Sequence, residues 1–368
     1  MTTTNPFAFM IHPLDLSDLG RKFPLANKLP KSVLEYLTRI APPVRASHIT
    51  GLKSDFADTE GWFVGCTLTT EQMLKLPTPL VIKKIIQTGR LAERLGAKIL
   101  GLGAMTAVVG DAGLSVAKAL NIGVTTGNSY TVYTALEGAK KAAQMMDIDL
   151  SKGQVVILGA TGAIGGIAAR MLAKECRYLT LVARDEQKLT ALADKILRET
   201  GLVCRITQNA GKAVSNADLI IAVTSSNGTV IEPQDLKSGA VVCDVARPRD
   251  VSRRVAELRD DVLVIEGGLV QMPGKVDFGM NFGYPPGIGL ACMAETMMLA
   301  LENRFEDFTL GRELTLEQVE ETGRLAKKHG FSLAGFRSFE KAISEDKIVH
   351  IKARVQELKL NLAPAQPF

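Results

Sequence analysis

Residues 154–166 read QVVILGATGAIGG, and no other stretch limits so strongly what this chain can fold into. Residues 155–158 are a short apolar run of the kind that forms a fully buried parallel strand. Glycines follow at 159, 162 and 165, and 164–173 continues as an apolar, small-residue helix. In a strand–turn–helix nucleotide site each glycine has a mechanical task. One permits the tight turn, one lets the backbone approach a pyrophosphate, and one lets the helix lie close to its strand. The free N–H groups and the dipole of the helix start then hold the anion. Gly159, Ala160, Thr161, Gly162, Ala163, Ile164 and Gly165 are therefore the expected cradle. A tight turn without a ligand is the alternative. The strand before, the helix after and a second strand at 178–183 favour the cradle.

The end of that second strand selects the nucleotide. NAD sites usually place Asp or Glu there to accept from the ribose 2′-hydroxyl. This chain reads LTLVARDEQKL, with Arg184 in the acid's place and Lys188 one helical turn on. A guanidinium grips a 2′-phosphate in bidentate fashion, whereas a carboxylate repels it. NADP is the expected cofactor, and the GxxGxxG spacing agrees. A solvated Arg184 beside Asp185 as a helix N-cap is the other reading, and the two are compatible.

Length and composition bound the rest. The chain has 368 residues, enough for two domains with separate cores, and its 46% hydrophobic and 23% charged content is that of a globular protein. A net charge of +5, with both signs interleaved, argues against a nucleic-acid partner. Five scattered cysteines, at 66, 176, 204, 243 and 292, form no CxxC pair, and only four histidines occur. No metal site is expected, and a reducing compartment is. The start MTTTNPFAFMIHPLD lacks the basic and apolar regions of a signal peptide, and no uncharged apolar run reaches ~18 residues. These features predict a cytoplasmic protein without stable membrane insertion. A homo-oligomer is compatible with the sequence.

Along the chain, the fold class reads as α/β: an N-terminal α/β domain (1–128), a linker helix (129–148), a doubly wound Rossmann domain (149–285) and C-terminal helices (286–368). Strands are expected at 7–11, 44–49, 62–67 and 98–102, with a helix over 80–95. The glycine-rich 101–113 is either a packed loop or one wall of a cleft. Residues 125–131, TTGNSYT, crowd short polar groups at a helix start. Capping explains one or two of them. Ser129 and Tyr130 are the candidates for facing a substrate. In the nucleotide domain, strands are expected at 154–158, 179–183, 203–207, 219–223, 240–245 and 262–266. Their carboxyl ends carry Thr224, Ser225, Asp244 and Gly267, on the face where open α/β sheets bind ligands. Asp244 reads equally as a backbone cap. The run FGMNFGYPPGIG forbids regular structure, and a helix follows with Cys292 in its first turn. Thr315 and Gln318 fit a capping box for a further helix that stops at His329–Gly330, His329 reading as a solvated end residue.

Cys292 is the candidate nucleophile. A helix N-terminus places unpaired N–H groups and the positive dipole end beside a thiol, favouring thiolate. Beside a nicotinamide, such a cysteine takes an acyl group from a thioester for reduction by hydride. Free cysteine is also among the most buried residue types, so a packing role stands as the alternative.

The run LACMAETMMLALENRFEDFTLGRELTLEQVEETGRLAKKHGF (290–331) resembles the C-terminal segment of the long-chain fatty acyl-(acyl-carrier-protein) reductases, the aldehyde-forming enzymes known from cyanobacteria. TTGNSYT (125–131), GATGAIG (159–165), LVAR (181–184) and EGGLV (266–270) extend the resemblance to roughly residues 95–335. These enzymes sit within the wider shikimate-dehydrogenase-like two-domain NADP enzymes. The resemblance implies NADPH as reductant, an acyl-carrier protein or acyl-CoA as partner, and Cys292 as the acyl carrier. The first hundred residues match poorly, and the tail after about Phe336 runs past the family's usual end. Two other readings compete. A shikimate- or quinate-type dehydrogenase shares the plan, but its Lys–Asp pair and NVTxPxK-like motif are not apparent in 1–128. The third is an NADP-binding sensor without catalysis.

Overall fold

Two six-stranded sheets form the framework, one in each of two units that interleave along the chain. The computed structural model describes residues 5–362, apart from 23, 24, 26, 27, 225, 227, 247, 248, 282 and 340. One unit comprises Met1–Tyr130 with Val270–Ser332, the other Thr131–Leu269 with Leu333–Phe368. The domains expected from sequence ran consecutively, with boundaries at 128, 148 and 285. The structure instead returns the chain to the first unit at 270, because a later strand and a buried helix complete that unit.

The first unit opens with β1 (Phe7–Ile11), α1 (Lys31–Ile40), β2 (Val44–Lys53), β3 (Asp58–Gly65), α2 (Thr78–Arg94), β4 (Ile99–Leu102) and β5 (Gly123–Thr125), and α3 (Asn128–Met145) begins in it. The second unit holds β6 (Gln154–Leu158), α4 (Ala163–Leu172), β7 (Tyr178–Val182), α5 (Glu186–Thr200), β8 (Arg205–Thr207), β9 (Leu219–Ala222), β10 (Val241–Asp244) and β11 (Leu263–Glu266). Back in the first unit come β12 (Gly274–Asp277), α6 (Ala291–Leu301) and α7 (Leu316–His329).

In the second unit all neighbouring strands are parallel, in the order β8-β7-β6-β9-β10-β11. This is the doubly wound dinucleotide order, whose switch point lies between β6 and β9. Every residue of β9, β10 and β11 is buried, as a parallel sheet covered on both faces requires.

In the first unit the order is β12-β2-β3-β1-β4-β5. β1, β3, β4 and β5 run parallel, and β2 and β12 add antiparallel. β12 escaped the sequence reading because it has four residues, only one of them buried. Strands alternate their faces. Leu100 and Leu102 join Val81 and Ile85 of α2 in one core cluster. Gly101 between them faces α6, where a Cβ would stand 2.0 Å from Thr296 Oγ1. α6 therefore lies directly on β1, β3 and β4.

The capping box legible in the sequence is formed. Gln318 N–H donates to Thr315 Oγ1 and Thr315 N–H to Gln318 Oε1, both at 3.1 Å. Thr315→Ala should therefore cost about 1 kcal/mol of stability, read as a lower midpoint in urea unfolding followed by near-UV circular dichroism.

Candidate active site

The nucleotide cradle is built where β6 ends. Gly159 has φ +83°, and a Cβ there would stand 2.7 Å from Val223 O at the end of β9. A Cβ on Gly165 would meet Gly159 O at 2.3 Å. The two glycines thus close the turn and seat α4. At Gly162, by contrast, the nearest atom to an added Cβ is Gly159 O at 3.3 Å, and the residue is exposed. Gly162 is also the N-cap of α4 and brings no side chain to its first-turn N–H groups. Thr161, Ala163 and Ile164 keep accessible surface, while Ala160 is buried. The residues therefore fit a pyrophosphate: an open backbone approach, with N–H groups and a dipole end behind it.

At the end of β7, Asp185 caps α5 through Lys188 N–H at 3.0 Å, and that bond holds its carboxyl below the usual range. Lys188 Nζ lies 3.4 Å from the same carboxylate. Arg184 is exposed and has no hydrogen-bond or ion-pair partner among the described residues.

After β9 the arrangement differs from expectation. Thr224 was expected to contact cofactor, but its hydroxyl donates to Asp250 Oδ1 at 2.5 Å and its N–H to Oδ2 at 2.9 Å. Asp250 is buried, which pushes its carboxyl up, while Thr224 opposes the shift. Thr224 is thus held as a brace for its loop. Ser225 lies outside the described residues. Gly267 is buried, and a Cβ on it would meet Val245 at 2.6 Å and Cys243 Sγ at 3.1 Å, so close packing accounts for its identity. Asp244 accepts from Ala246, Asp250 and Val251 N–H, as the backbone-cap reading requires.

Cys292 lies in the first unit, one residue inside the N-terminus of α6. Every other residue of that helix is buried; Cys292 alone keeps accessible surface. At three of the other cysteines burial opposes the thiolate. Burial pushes the Cys66 thiol up, and pushes Cys176 and Cys204 up to about 11. Cys243 is fully buried, with its thiol 3.6 Å from Ala135 O.

The turn at 125–131 lies against Cys292. Gly127 has φ +73°, and a Cβ on it would stand 2.2 Å from Cys292 Cα. The polar groups of this turn do not line an open surface as expected. Thr125, Thr126, Ser129 and Tyr130 are buried, while Asn128 and Thr131 keep accessible surface. Ser129 Oγ accepts from Thr309 Oγ1 at 3.0 Å, and Tyr130 is the largest fully buried side chain.

Sequence reasoning missed the residue that organises the turn. Glu295, fully buried, accepts from Thr125 Oγ1 at 2.5 Å and from Tyr130 N–H at 2.9 Å. Burial raises its carboxyl, and these donors oppose the shift. The signal was present: it is the one charge in the run ACMAETMMLAL, and carboxylates are almost never fully buried unless paired. His329 also departs from expectation. It is buried, with its ring nitrogens 2.9 Å from Ser54 Oγ and 2.5 Å from Glu302 Oε1, and Gly330 is the cap.

A family model of shikimate/quinate 5-dehydrogenase matches residues 139–266. The chain is 33% identical over 303 residues to the aminotransferase PigE of Serratia sp. (strain ATCC 39006), covering 80% of this chain and 35% of that protein. It is 27% identical over 306 residues to the long-chain acyl-[acyl-carrier-protein] reductase of Synechococcus elongatus, covering 79% and 87%. It is 25% identical over 143 residues to the glutamyl-tRNA reductase of Roseiflexus castenholzii, covering 37% and 32%. The chain thus spans about a third of the length of the aminotransferase and of the tRNA reductase. Together with the cradle, these relations make residues 139–266 a dehydrogenase-type NAD(P)-binding unit of an oxidoreductase. Among the described residues, no helix is long and apolar enough to cross a membrane.

Two expectations follow. Arg184→Ala should weaken NADPH binding by about 1.5–3 kcal/mol, the worth of a charge-assisted hydrogen bond, and leave NADH binding unchanged; fluorescence titration with both nucleotides measures this. Gly127→Ala should destabilise the first unit by about 1–3 kcal/mol, from its left-handed backbone and its contact with Cys292. Thermal unfolding checks that value.

Proposed function

We propose that the chain reduces a fatty acyl thioester, delivered on an acyl-carrier protein or coenzyme A, to an aldehyde through an acyl group on Cys292. The observation that carries the proposal is a single cysteine that keeps accessible surface at the start of an otherwise buried helix, in a chain with an NAD(P)-type cradle. The relation to a long-chain acyl-carrier-protein reductase over 79% of the chain supports the substrate class.

The chemistry assigned to the residues is as follows. The Cys292 thiolate attacks the acyl carbonyl, a new carbon–sulfur bond forms, the bond to the carrier's sulfur breaks, and the carrier leaves as a thiolate that takes a proton from water. The positive dipole end of α6 favours negative charge on sulfur before and after this step. Gly159–Gly165 would hold the pyrophosphate of NADPH and Arg184 and Lys188 would meet its 2′-phosphate, and the bound nucleotide would supply the hydride. The tetrahedral alkoxide left on Cys292 by hydride addition then collapses, breaking the carbon–sulfur bond, releasing aldehyde and restoring the thiolate.

A dehydrogenase acting on a hydroxy acid such as shikimate is the second reading, favoured by the family model on 139–266. That match ends before the Cys292 segment, and such a reaction gives the half-buried Cys292 no task.

Cys292→Ser separates the two. The thioester reading expects retained NADPH affinity with aldehyde formation abolished, measured by gas chromatography of the product. Thioester reduction at the wild-type rate would contradict it. Shikimate oxidation by both proteins, with no thioester turnover, would establish the dehydrogenase.

A further inference from the structure

Glu295 is a fully buried ionisable group that the proposed chemistry leaves unused, and its surroundings join it to Cys292. The two residues lie three apart on α6, so they share a face of that helix. One carboxylate oxygen takes the Thr125 hydroxyl at 2.5 Å, and the other takes Tyr130 N–H at 2.9 Å. Gly127 N–H donates to Thr125 Oγ1 at 3.4 Å, and this N–H and the Thr309 hydroxyl lie near enough to the carboxyl to oppose its upward shift. A second layer supports these donors. Thr309 N–H donates to Thr125 Oγ1 at 3.2 Å, Thr126 N–H to Thr309 O at 2.8 Å, and Thr309 Oγ1 to Ser129 Oγ at 3.0 Å.

This arrangement does more than cap α3. A helix N-terminus needs only a local Ser, Thr, Asp or Asn for that purpose. Here the residue preceding α3 is Gly127, which has no side chain, and a carboxylate on the cysteine's own helix takes the Tyr130 N–H. Gly127 is in turn so close to Cys292 that a Cβ would fall 2.2 Å from Cα and 2.6 Å from the carbonyl oxygen of that residue. The turn is therefore held at two points on α6, one at the cysteine and one at the carboxylate a helical turn away. Burying a carboxylate is costly unless donors surround it, and the 125–130 turn supplies them through Thr125 and Tyr130.

We propose that Glu295 is a positioning residue for Cys292, fixing the 125–130 turn against the first turn of α6 and so keeping the thiol presented beside its helix N–H groups. The proposal rests on Cys292 being the reactive thiol of the function proposed above. Ser129 and Tyr130, expected from sequence as groups facing a substrate, act in this account as parts of the same brace.

Glu295→Gln tests it, because the amide keeps the size but sets an N–H against the turn's own donors. Iodoacetamide labelling at pH 7, mapped to individual cysteines by peptide mass, reads the thiol without any thioester. Cys292 should label about tenfold more slowly, as its support for thiolate is lost. Half-exposed Cys204, in the other unit, should label at its wild-type rate, and NADPH affinity should be unchanged. Labelling of Cys292 at or above the wild-type rate in the folded variant would overturn the proposal. Should Glu295→Gln fail to fold, Thr125→Val and Thr125→Ser carry the test: the valine should slow labelling of Cys292 and the serine, which keeps the hydroxyl, should preserve it. Equal rates in that pair would overturn the proposal. A wild type whose Cys292 labels in this Glu295-dependent way but takes no acyl group from a long-chain thioester refutes the thioester reading and leaves the positioning role standing.

Discussion

A helix buried on every side has room for a charged group only where the chain around it brings donors, and α6 obeys this constraint at one place. Glu295 draws Thr125, Gly127, Tyr130 and Thr309 to its carboxyl, so segments distant in sequence meet at one point of the helix. The close seat of α6 on β4 depends on Gly101, and the close seat of the turn on α6 depends on Gly127. Two missing side chains and one buried carboxylate thereby fix where Cys292 lies within its unit. The cost of burying that carboxylate is met by hydrogen bonds, and the rigidity of the turn is the consequence.

The second unit follows a simpler logic. Its strands are short, apolar and parallel, and their order puts the end of β6 beside the end of β9 at the switch point. Gly159 and Gly165 shape the backbone there, while Gly162 leaves the start of α4 open. Arg184, without a partner among the described residues, gives the exposed edge its positive charge. Asp250 steadies the loop after β9 through Thr224.

Local features were legible in the sequence. The β6–α4 turn, the Asp185 cap and the Thr315–Gln318 box each depend on residues within a few positions, so spacing reveals them. What escaped depends on contacts across the chain. Glu295 bonds residues 165 and 170 positions away, and β12 pairs with a strand more than two hundred residues earlier. The polar cluster at 125–131 looked like a surface because pattern alone does not say whether hydroxyls meet substrate or other side chains. Thr309 and Glu295 supplied the partners, and four of the residues went inside. His329 was misread for the same reason: Ser54 and Glu302 reach it from distant segments and bury it.

The central claim is that Cys292 carries an acyl group. Intact mass measurement of the wild-type protein mixed with a long-chain acyl thioester, without nucleotide, tests it most directly. The account predicts a mass gain of one acyl chain, located on the peptide containing Cys292 and discharged as aldehyde when NADPH is added. No gain, or a gain on another residue that NADPH leaves in place, would contradict it.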